Sequence, residues 1–506
     1  MRHDRRFLGN AAPPAHNPSI SMSGADPRAR SRWPVERRIF CNRTLNMRSI
    51  AVVGFDMDYT LVHYDVRSWE ERAFEHVRER LLASGHPADD LRFDAQAFAR
   101  GLVLDLALGN IVKANRFGYV TQAAHGMRML SYEEQRRVYG QVWVQLGEPR
   151  WVFLNTLFSL SEACLYAQMV DLCDAGRLDG LDYASLYSLI GRSMDAAHLE
   201  GELKAEIIAD PERFVVLDDD LVRALLDMKD AGKRLFLATN SEWNYTQPMM
   251  SYVFDRELPR DGWRSLFDLV ITQARKPTFF DGEAHFSQVG VDGSAVPWSG
   301  PLRPDLVLRG GNAGAVQAHF EVAGEEILYV GDHVYADVHV SSQIRRWRTA
   351  LVLRELEDEV RAERAFAPGQ AELERLMREK AVHEDEQATL RLALQRHAHG
   401  APMPAGIDRS VGEIHERLRE VRALVDALDA RIAPLVRRAA QLGQARWGPL
   451  MRAGSDKSRL ARQIERHADV YTSRVSNFLH LTPFGYLRAA RGSLPHDAEG
   501  LGGEVS

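Results

Sequence analysis

The sequence predicts an α/β protein built around a parallel sheet. Short apolar runs, rich in β-branched and large aliphatic residues, recur along the chain and are typical of strands buried on both faces. Several of them run directly into polar residues, at the strand ends where α/β sheets place ligands. The five runs are Ile50 to Phe55, Lys233 to Ala238, Phe267 to Thr272, Ile327 to Val330 and Ala350 to Leu353.

The composition is that of a globular protein, and it excludes several classes. The 506 residues allow about three folded units. A net charge of −6 argues against a general nucleic-acid coat, and the absence of a long uncharged apolar stretch argues against a membrane span. The three cysteines, Cys41, Cys164 and Cys173, are too few for a disulfide framework. We therefore expect a cytoplasmic protein with neither nucleic acid nor membrane as partner.

Two carboxylates follow the first apolar run, at Asp56 and Asp58. At the end of a buried strand such groups are costly unless they hold a metal or take part in chemistry. Hard oxygen ligands of this kind suit Mg²⁺, which also bridges phosphate oxygens. Taken alone, the pair also fits a strand-end turn with solvated acids.

The next two runs end in groups that suit a phosphate. Thr239 and Asn240 follow the second run, and a hydroxyl at a strand end can hold a phosphate oxygen, although most such clusters are ordinary helix caps. Lys276 follows the third run and offers a point charge for a phosphoryl group, although most lysines are solvated.

The fourth run ends in Gly331 and is followed by Asp332 and Asp337. Gly331 permits a tight turn, and the two acids again lie at a strand end. The chain therefore carries, in order, an Asp pair, a hydroxyl, a lysine and a second acidic pair, each after a buried strand. The ordered set is far more specific than any one of its parts.

In this order of motifs the chain resembles the haloacid dehalogenase (HAD) phosphohydrolases. The resemblance implies a HAD-like, Rossmann-type parallel sheet. It also implies that Asp56 attacks phosphorus and forms an aspartyl phosphate, while Asp58 protonates the leaving alkoxide and then deprotonates water. Thr239 and Lys276 would bind the transferring phosphoryl group.

The same resemblance implies one cofactor, Mg²⁺. Its ligands would be Asp56, the main-chain carbonyl of Asp58, and Asp332. Asn240 would support the phosphate site, and Asp337 would hold Lys276 or a metal-bound water.

The spacing of the motifs predicts insertions in the catalytic core. We assign the core to residues 38–64 and 214–353, interrupted by a large cap at residues 65–213 that selects the substrate. Clustered Gly and Pro residues predict a loop-rich insertion at residues 278–325. Helices of residues 444–497 would pack on the core.

Longer segments narrow the resemblance. The runs GFDMDYTLVHYD, FLNTLFSL, FLATNSEWNYT, ARKPTFF and ILYVGDHVYAD are similar to those of cytosolic purine 5′-nucleotidases of the IMP/GMP type, from Arg38 to Asp497. By this resemblance Phe158, Ser159, Asp195 and His198 would bind the purine, and Ser159 replaces the amide residue usual in that family. The Ala- and Arg-rich composition suggests a bacterial homologue.

Residues 354–443 predict a helical hairpin or coiled coil. Val411, Ile414, Leu418, Val421 and the apolar residues after them recur at heptad spacing, and Pro434 is expected to kink or stop the helix. An earlier helical pattern runs from Ala371 to His397. Both packing of the two helices within the chain and binding of a partner helix fit this pattern. We also expect a homo-oligomer, either a dimer or a tetramer.

Both ends of the chain look unstructured. The first 37 residues carry five prolines and few bulky aliphatic residues, which predicts disorder; a transit peptide and a start at Met22 are the alternatives. Residues 498–506 are expected to form a disordered tail.

The sequence therefore predicts a Mg²⁺-dependent 5′-nucleotidase that hydrolyses purine nucleoside 5′-monophosphates, IMP or GMP first. Transfer of the phosphoryl group to a nucleoside is a secondary expectation. Two alternatives stay open: a HAD phosphatase for another small phosphate ester, and an interaction protein that uses the helical hairpin beside a vestigial site.

Overall fold

The computed structural model describes residues 34–178, 180–258, 262–290, 293–490 and residue 492, without the side chains of residues 195–200. The strands are β1 (Phe40–Cys41), β2 (Leu45–Asn46), β3 (Val52–Phe55), β4 (Val103–Asp105), β5 (Asn110–Ala114), β6 (Val120–His125), β7 (Arg128–Met129), β8 (Trp151–Phe153), β9 (Arg234–Ala238), β10 (Leu269–Thr272), β11 (Phe286–Val289), β12 (Ala295–Trp298), β13 (Val307–Gly310), β14 (Ile327–Gly331), β15 (Arg348–Val352), β16 (Arg452–Ala453), β17 (Asp456–Lys457), β18 (Val470–Thr472) and β19 (Tyr486–Leu487).

The α-helices are α1 (Val66–Ala83), α2 (Tyr132–Tyr139), α3 (Ser159–Asp174), α4 (Tyr183–Glu200), α5 (Glu202–Ala209), α6 (Pro211–Phe214), α7 (Leu221–Asp230), α8 (Trp243–Phe254), α9 (Thr278–Asp281), α10 (Ala313–Phe320), α11 (Val340–Arg345), α12 (Leu356–Ala398), α13 (Val411–Ala439), α14 (Arg459–His467) and α15 (Phe478–Leu481). A π-helical turn, Val334–His339, precedes α11. None of the helices in the described ranges combines the length and apolarity that crossing a bilayer requires.

The large sheet has the strand order β1-β18-β15-β14-β3-β9-β10-β13-β11-β12. Its seven inner strands, from β18 to β13, are parallel, and antiparallel strands close both edges. The five apolar runs of the sequence form β3, β9, β10, β14 and β15. In the sheet these are five consecutive strands, in the order β15-β14-β3-β9-β10. The predicted α/β fold with a parallel sheet is confirmed.

Close packing between β3 and β9 depends on one glycine. A Cβ atom on Gly54 would lie 2.1 Å from the ring of Phe236, so the absence of a side chain leaves room for that ring. Phe236 in turn packs against Tyr329 of β14 and against Trp347. These large side chains hold the strands whose carboxyl ends carry the predicted catalytic residues.

Residues 65–213 form a separate layer with its own sheet. The strands β7-β6-β5-β4-β8 are antiparallel and pack with α1, α3 and α4 around a second apolar cluster. Two chain crossings join this layer to the main sheet and pair with each other. Asp65 N donates to Phe214 O at 2.8 Å, and Val216 N donates to His63 O at 2.8 Å.

The C-terminal segment is fastened to the cap layer. Trp447 is buried in the cap's apolar cluster, and its Nε1 donates to Ala97 O at 2.7 Å. The Nζ atom of Lys113, on β5, donates to Pro449 O at 2.7 Å. These contacts tie the cap to residues that follow the helical hairpin in sequence.

The stretch of residues 278–325, predicted as a loop-rich insertion, contains several short helices and strands between its loops. It contains α9, the strands β11 to β13, and α10. Strand β13 extends the parallel set, and β11 and β12 form the edge of the sheet. Pro297 lies within β12, and an outermost strand tolerates proline because its outward N–H groups are not needed for pairing.

Residues 444–497 contain more than the predicted helices. Besides α14 and α15 they supply β18, which pairs with β15 in the main sheet, and three two-residue strands. Strands of two or three residues are too short to give a periodic pattern, which is why the sequence did not reveal them.

The hairpin helices α12 and α13 pack against each other antiparallel within the chain. Leu390 and Ile414 lie in one buried apolar cluster between the two helices, and Leu376 and Leu428 lie in a second one. Ion pairs flank this seam, including Arg417 with Glu386 at 2.7 Å. Pro434 does not end the helix as expected: α13 continues to Ala439, and the apolar residues on either side of the proline remain packed on α12.

Two chain ends, residues 1–37 and 498–506, were predicted to be disordered. Residues 1–33 and 498–506 lie outside the described residues. Residues 35–37, which were predicted to belong to the disordered segment, form a 3₁₀ turn, Val35–Arg37. Arg37 Nη2 donates to Ser476 Oγ at 3.0 Å and to Asp220 Oδ2 at 3.2 Å, and these bonds help to hold the turn on the core.

Glu70, on α1, is a buried carboxyl group that forms no ion pair within the part of the chain that the structure describes. Its Oε2 accepts a hydrogen bond from Ser161 N in the first turn of α3 at 2.7 Å, and its Oε1 has no partner in that part of the chain. Burial raises the pKa of Glu70 to about 8, and the hydrogen bond from Ser161 acts in the opposite direction. The side chain links α1 to α3, and its burial opposes its ionisation.

We expect Glu70→Gln to remove a pH dependence from the stability of the protein. Because the folded-state pKa lies above the ordinary value of 4.5, this group's stabilising contribution is complete below that value and is lost as pH rises through about 8. Urea midpoints of the wild type should therefore fall between pH 5.5 and 8.5, by the equivalent of a few kcal/mol, on the order given by the pKa shift. The uncharged amide of the Glu70→Gln variant should flatten this slope.

Glu71→Gln is the matched control, because Glu71 is the next residue of α1 and is exposed. Its variant should keep the wild-type slope. Equal slopes for the wild type and Glu70→Gln would contradict the interpretation.

Candidate active site

The carboxyl ends of β3, β9, β10 and β14 bring the predicted catalytic residues to one edge of the sheet. Asp56 follows β3, and its main-chain N donates to Val330 O of β14 at 2.9 Å. Thr239 follows β9, and its main-chain N donates to Ile271 O of β10 at 3.0 Å. The parallel pairing thus continues one residue beyond β3 and β9, and it fixes the main-chain positions of Asp56 and Thr239.

The ammonium group of Lys276 lies between two buried carboxylates. Its Nζ is 2.7 Å from Asp56 Oδ1 and 2.7 Å from Asp337 Oδ1, and it lies 5.6 Å from the centre of the Tyr329 ring. Burial alone would lower the pKa of Lys276, but Asp337 and Asp56 raise it, and the net pKa is well above the ordinary value. The lysine is therefore a permanent positive charge in the site.

Asp337 lies next to this lysine because its side chain packs closely against Gly331, at the end of β14. The residue lies in the π-helical turn Val334–His339, an irregularity frequent at functional sites. A Cβ atom on Gly331 would lie 2.5 Å from the Asp337 side chain, so only glycine leaves room for the carboxylate to fold back. Asp337 Oδ2 also accepts from His333 N at 3.1 Å.

Three buried carboxylates converge here and fit a divalent cation. One oxygen each of Asp56, Asp332 and Asp337 lies within 4.8 Å of the others. Asp332 Oδ2 is buried and has no hydrogen-bond partner among the described residues. Burial raises the pKa of Asp56 to about 7, against the opposing charge of Lys276, and raises the pKa of Asp332 well above its ordinary range. A bound cation would relieve this crowding of negative charge.

Arg100 joins the cap to this cluster and was not predicted. Its side chain is buried, Nη2 donates to the main-chain O of Asp332, and Nε donates to Asn155 O at 2.8 Å. Its Nη1 also lies 3.8 Å from Glu355 Oε2. The positive charge of Arg100 lowers the pKa of Asp332, although burial raises it more. The loop that carries Asp332 is thus held by the cap.

Asn240 supports Lys276 through the main chain. Its Oδ1 accepts from Lys276 N at 2.6 Å, and its Nδ2 donates to Lys276 O at 3.0 Å. Thr239 is fully buried, and its Oγ1 accepts from Ser241 N at 3.0 Å. The amide of Asn240 therefore fixes the lysine's backbone, and the hydroxyl of Thr239 fixes the turn after β9.

The carboxylate of Asp58 is held by two hydroxyl groups. Ser241 Oγ donates to Asp58 Oδ2 at 2.6 Å, and the Tyr64 hydroxyl donates to Asp58 Oδ1 at 2.5 Å. The Tyr245 hydroxyl donates in turn to that of Tyr64 at 2.9 Å. Burial and the neighbouring Asp58 raise the pKa of Tyr64 well above its ordinary value, so its hydroxyl keeps its proton.

The cap residue Phe158 contacts the loop of the predicted nucleophile. Its ring lies 4.7 Å, centre to centre, from that of Tyr59, the residue after Asp58, and 5.3 Å from that of Trp69. Ser159 begins α3 and is buried, with its N donating to Thr156 O at 3.3 Å. Both residues thus lie on the cap where it meets the catalytic loop.

The other two predicted substrate residues, Asp195 and His198, lie on α4, but their side chains are outside the described part of the structure. Sequence reasoning missed Arg100, Tyr64, Ser241 and Tyr245. Tyr64, Ser241 and Tyr245 stand inside two of the segments that carry the family resemblance, GFDMDYTLVHYD and FLATNSEWNYT, so position within a motif was the available signal. Arg100 and Ser241 have partners that are distant in sequence, and no local pattern could supply those contacts.

The chain belongs to the 5′-nucleotidase family, whose profile matches residues 39–499. A 5′-nucleotidase domain-containing protein of Dictyostelium discoideum is 26% identical over 483 residues, which is 91% of this chain and 74% of that protein. Human 5′-nucleotidase domain-containing protein 2 is 31% identical over 340 residues, 64% of this chain and 64% of the human protein. The predicted enzyme class, a phosphoric monoester hydrolase, is confirmed at this level.

Solved structures with some likeness include a HAD-superfamily hydrolase of Geobacter sulfurreducens, 14% identical with a TM-score of 0.25, covering 60% of this chain and 87% of that one. A β-phosphoglucomutase of Pyrococcus is 11% identical with a TM-score of 0.27, covering 60% and 86%. The family match identifies the chain as a 5′-nucleotidase family member, and the strand order defines its α/β fold.

We expect Asp332→Asn to separate the two consequences of the carboxylate cluster. In metal-free buffer the variant should melt above the wild type, because a neutral amide replaces a buried carboxyl group that lies beside two other carboxyl groups. Mg²⁺ at 100 times its dissociation constant should stabilise the wild type by about 2.7 kcal/mol. The variant should bind at least about tenfold more weakly.

Calorimetric titration and melting curves, with and without Mg²⁺, measure both effects. Asp219→Asn is the control, because the Asp219 side chain is 90% exposed. Unchanged Mg²⁺ affinity in the Asp332→Asn variant would show that the cation does not bind at this cluster.

Proposed function

We propose that the protein is a Mg²⁺-dependent 5′-nucleotidase that hydrolyses purine nucleoside 5′-monophosphates, IMP or GMP first. The observation that carries the proposal is the position of Lys276. The lysine joins Asp56 to Asp337 within a buried cluster that also contains Asp332, at the carboxyl ends of parallel strands. This set provides a nucleophile, a fixed positive charge and ligands for a cation.

Each step of the chemistry has a residue suited to it. A carboxylate oxygen of Asp56 attacks phosphorus, forming a P–O bond as the ester P–O bond breaks, and so splits hydrolysis into two easier displacements. Asp58 gives its proton to the leaving oxygen and later takes one from the attacking water. Lys276 stabilises the charge that spreads over the transferring oxygens.

Asp56, Asp332 and the main-chain carbonyl of Asp58 would hold Mg²⁺. When bound, the ion neutralises charge on the phosphoryl group. Asp337 keeps Lys276 oriented, and Asn240 keeps its backbone in place. Thr239 would bind a phosphoryl oxygen from the turn after β9.

Selection of the purine is assigned to the cap. The ring of Phe158 offers a face on which a base can stack, and stacking of this kind contributes about 1–3 kcal/mol per base. Because every base has such a face, Ser159, Asp195 and His198 are proposed to distinguish purines by hydrogen bonds. A nucleoside that enters in place of water would capture the phosphoryl group, which gives nucleoside phosphotransferase activity.

The setting that we propose is the cytoplasm. Cys41, Cys164 and Cys173 are all free thiols in the structure, and Cys164 is buried. Thiols persist in a reducing compartment, where disulfides are rare.

We expect Asp56→Asn to abolish phosphate release from IMP, by several orders of magnitude in kcat. The amide is not a nucleophile, whereas its shape is that of the carboxyl group. The variant should still fold, because Asp337 still pairs with Lys276. Phosphate release and thermal unfolding are the two measurements, and full activity in this variant would refute the mechanism.

A substrate panel of IMP, GMP, AMP, CMP and glucose 6-phosphate tests the specificity. The wild type should prefer IMP or GMP, and Phe158→Leu should raise KM for both about tenfold without changing that for glucose 6-phosphate, because an aliphatic side chain fills the space without offering a ring. Absence of a purine preference would favour a phosphatase for another small phosphate ester. Inactivity on every ester would favour a vestigial site beside an interaction surface.

A further inference from the structure

Tyr64 lies where the cap, the core and the catalytic loop meet. It pairs with Val215 in an antiparallel bridge between the two chain crossings that join cap and core. Its ring lies 4.4 Å from that of Trp69 on the first cap helix and 5.3 Å from that of Tyr59. The side chain is 1% exposed, so its position is fixed on every side.

The hydroxyl of Tyr64 belongs to a directional series of hydrogen bonds. The Tyr245 hydroxyl, on the core helix α8, donates to Tyr64, and Tyr64 donates to Asp58 Oδ1 at 2.5 Å. A phenol has one proton to donate. Because the Tyr64 oxygen already accepts a hydrogen bond from Tyr245, the Tyr64 proton is directed to Asp58. Ser241 donates to the other oxygen of the same carboxylate at 2.6 Å.

Two donors on two different oxygens fix the plane of the Asp58 carboxyl group. Either donor alone would allow the group to turn about its Cβ–Cγ bond, because the remaining oxygen would have no fixed partner. A proton-transfer group must lie within hydrogen-bond reach of the reacting oxygen, so its orientation decides how often transfer succeeds.

We propose that Tyr64 is a positioning residue that orients Asp58 for proton transfer to the leaving oxygen, a role that rests on the proposed function. In that step Asp58 gives its proton to the ester oxygen while the ester P–O bond breaks and the bond to Asp56 forms. The Tyr64 proton does not transfer; its hydroxyl holds the acid in place. The cap-to-core crossing thereby sets the geometry of the catalytic loop.

The test compares leaving groups in Tyr64→Phe, which keeps the ring that packs on Trp69 and Tyr59. An alkoxide such as that of IMP needs a proton to leave, whereas the phenolate of p-nitrophenyl phosphate does not. The quantity to compare is kcat/KM, which covers only the steps through formation of the aspartyl phosphate. We expect it to fall about 10–100-fold for IMP and less than about threefold for p-nitrophenyl phosphate, in keeping with the size of general acid catalysis.

Two further variants sharpen the test. Ser241→Ala should show the same leaving-group dependence, because it frees the other oxygen of Asp58. Tyr252→Phe, on the same helix as Tyr245, removes a hydroxyl from a partly buried ring and should behave as the wild type with both esters. For IMP, the loss in Tyr64→Phe should appear in kcat, with KM within about twofold of the wild type.

Equal losses on both esters, a change in KM alone, or no change in Tyr64→Phe would overturn the positioning role. Failure of the proposed function gives a different result. If the wild type hydrolyses glucose 6-phosphate but not IMP, the nucleotide assignment fails, and the sugar phosphate, whose leaving group is also an alkoxide, replaces IMP in the comparison. A wild type inactive on every ester would refute both proposals.

Discussion

The structure of the site depends on one buried interaction, the ammonium group of Lys276 held between Asp56 and Asp337. Burial of three carboxylates in one place would strongly favour their neutral forms, and a single lysine offsets only part of their charge. The remaining imbalance makes the cluster a candidate site for a cation. Burial, together with the neighbouring carboxylates, raises the pKa values of Asp56 and Asp332.

Several parts of the fold serve to keep this lysine and its partners fixed. Asn240 binds both main-chain polar groups of Lys276, and Gly331 leaves the space into which Asp337 folds. Arg100 reaches from the cap to the carbonyl of Asp332. Because Trp447 fastens the cap to the C-terminal segment, this support extends to residues far along the chain. The cap is therefore part of the catalytic framework as well as a candidate specificity element.

The sequence allowed prediction of the central part of the sheet because its physical signals are local. A strand buried on both faces must be apolar along its whole length, and the polar group that follows it stands out. The strands β11 and β12 could not be recognised in this way, since they lie at the edge of the sheet and tolerate Gly and Pro. The strand β18 has three residues, too few for a pattern, and its place beside β15 depends on a pairing across more than one hundred residues.

The same distinction separates the parts of the site. Asp56, Asp58, Lys276, Asp332 and Asp337 could be proposed because each follows its own strand. The role of Arg100 depends on a partner in another layer, and that of Tyr64 depends on Tyr245, which is far along the chain; no spacing in the sequence encodes these contacts. Helix α13 is the reverse case. Pro434 predicts a kink or a stop, but the helix does not stop there, because apolar packing on α12 continues past the proline.

Charge is the point at which sequence and structure must be considered together. A protein with a net charge of −6 has no overall attraction for a phosphate ester, and the site itself adds buried acids. Attraction must therefore be local and must come from groups that the fold holds close to the acids: Lys276, a bound cation, and the main-chain dipoles of the strand ends. Binding of an anion and binding of the cation are then coupled, because each removes charge that opposes the other. On the proposed function, a bound cation would add to the attraction that Lys276 supplies, so the carboxylate cluster would contribute to substrate binding as well as to catalysis.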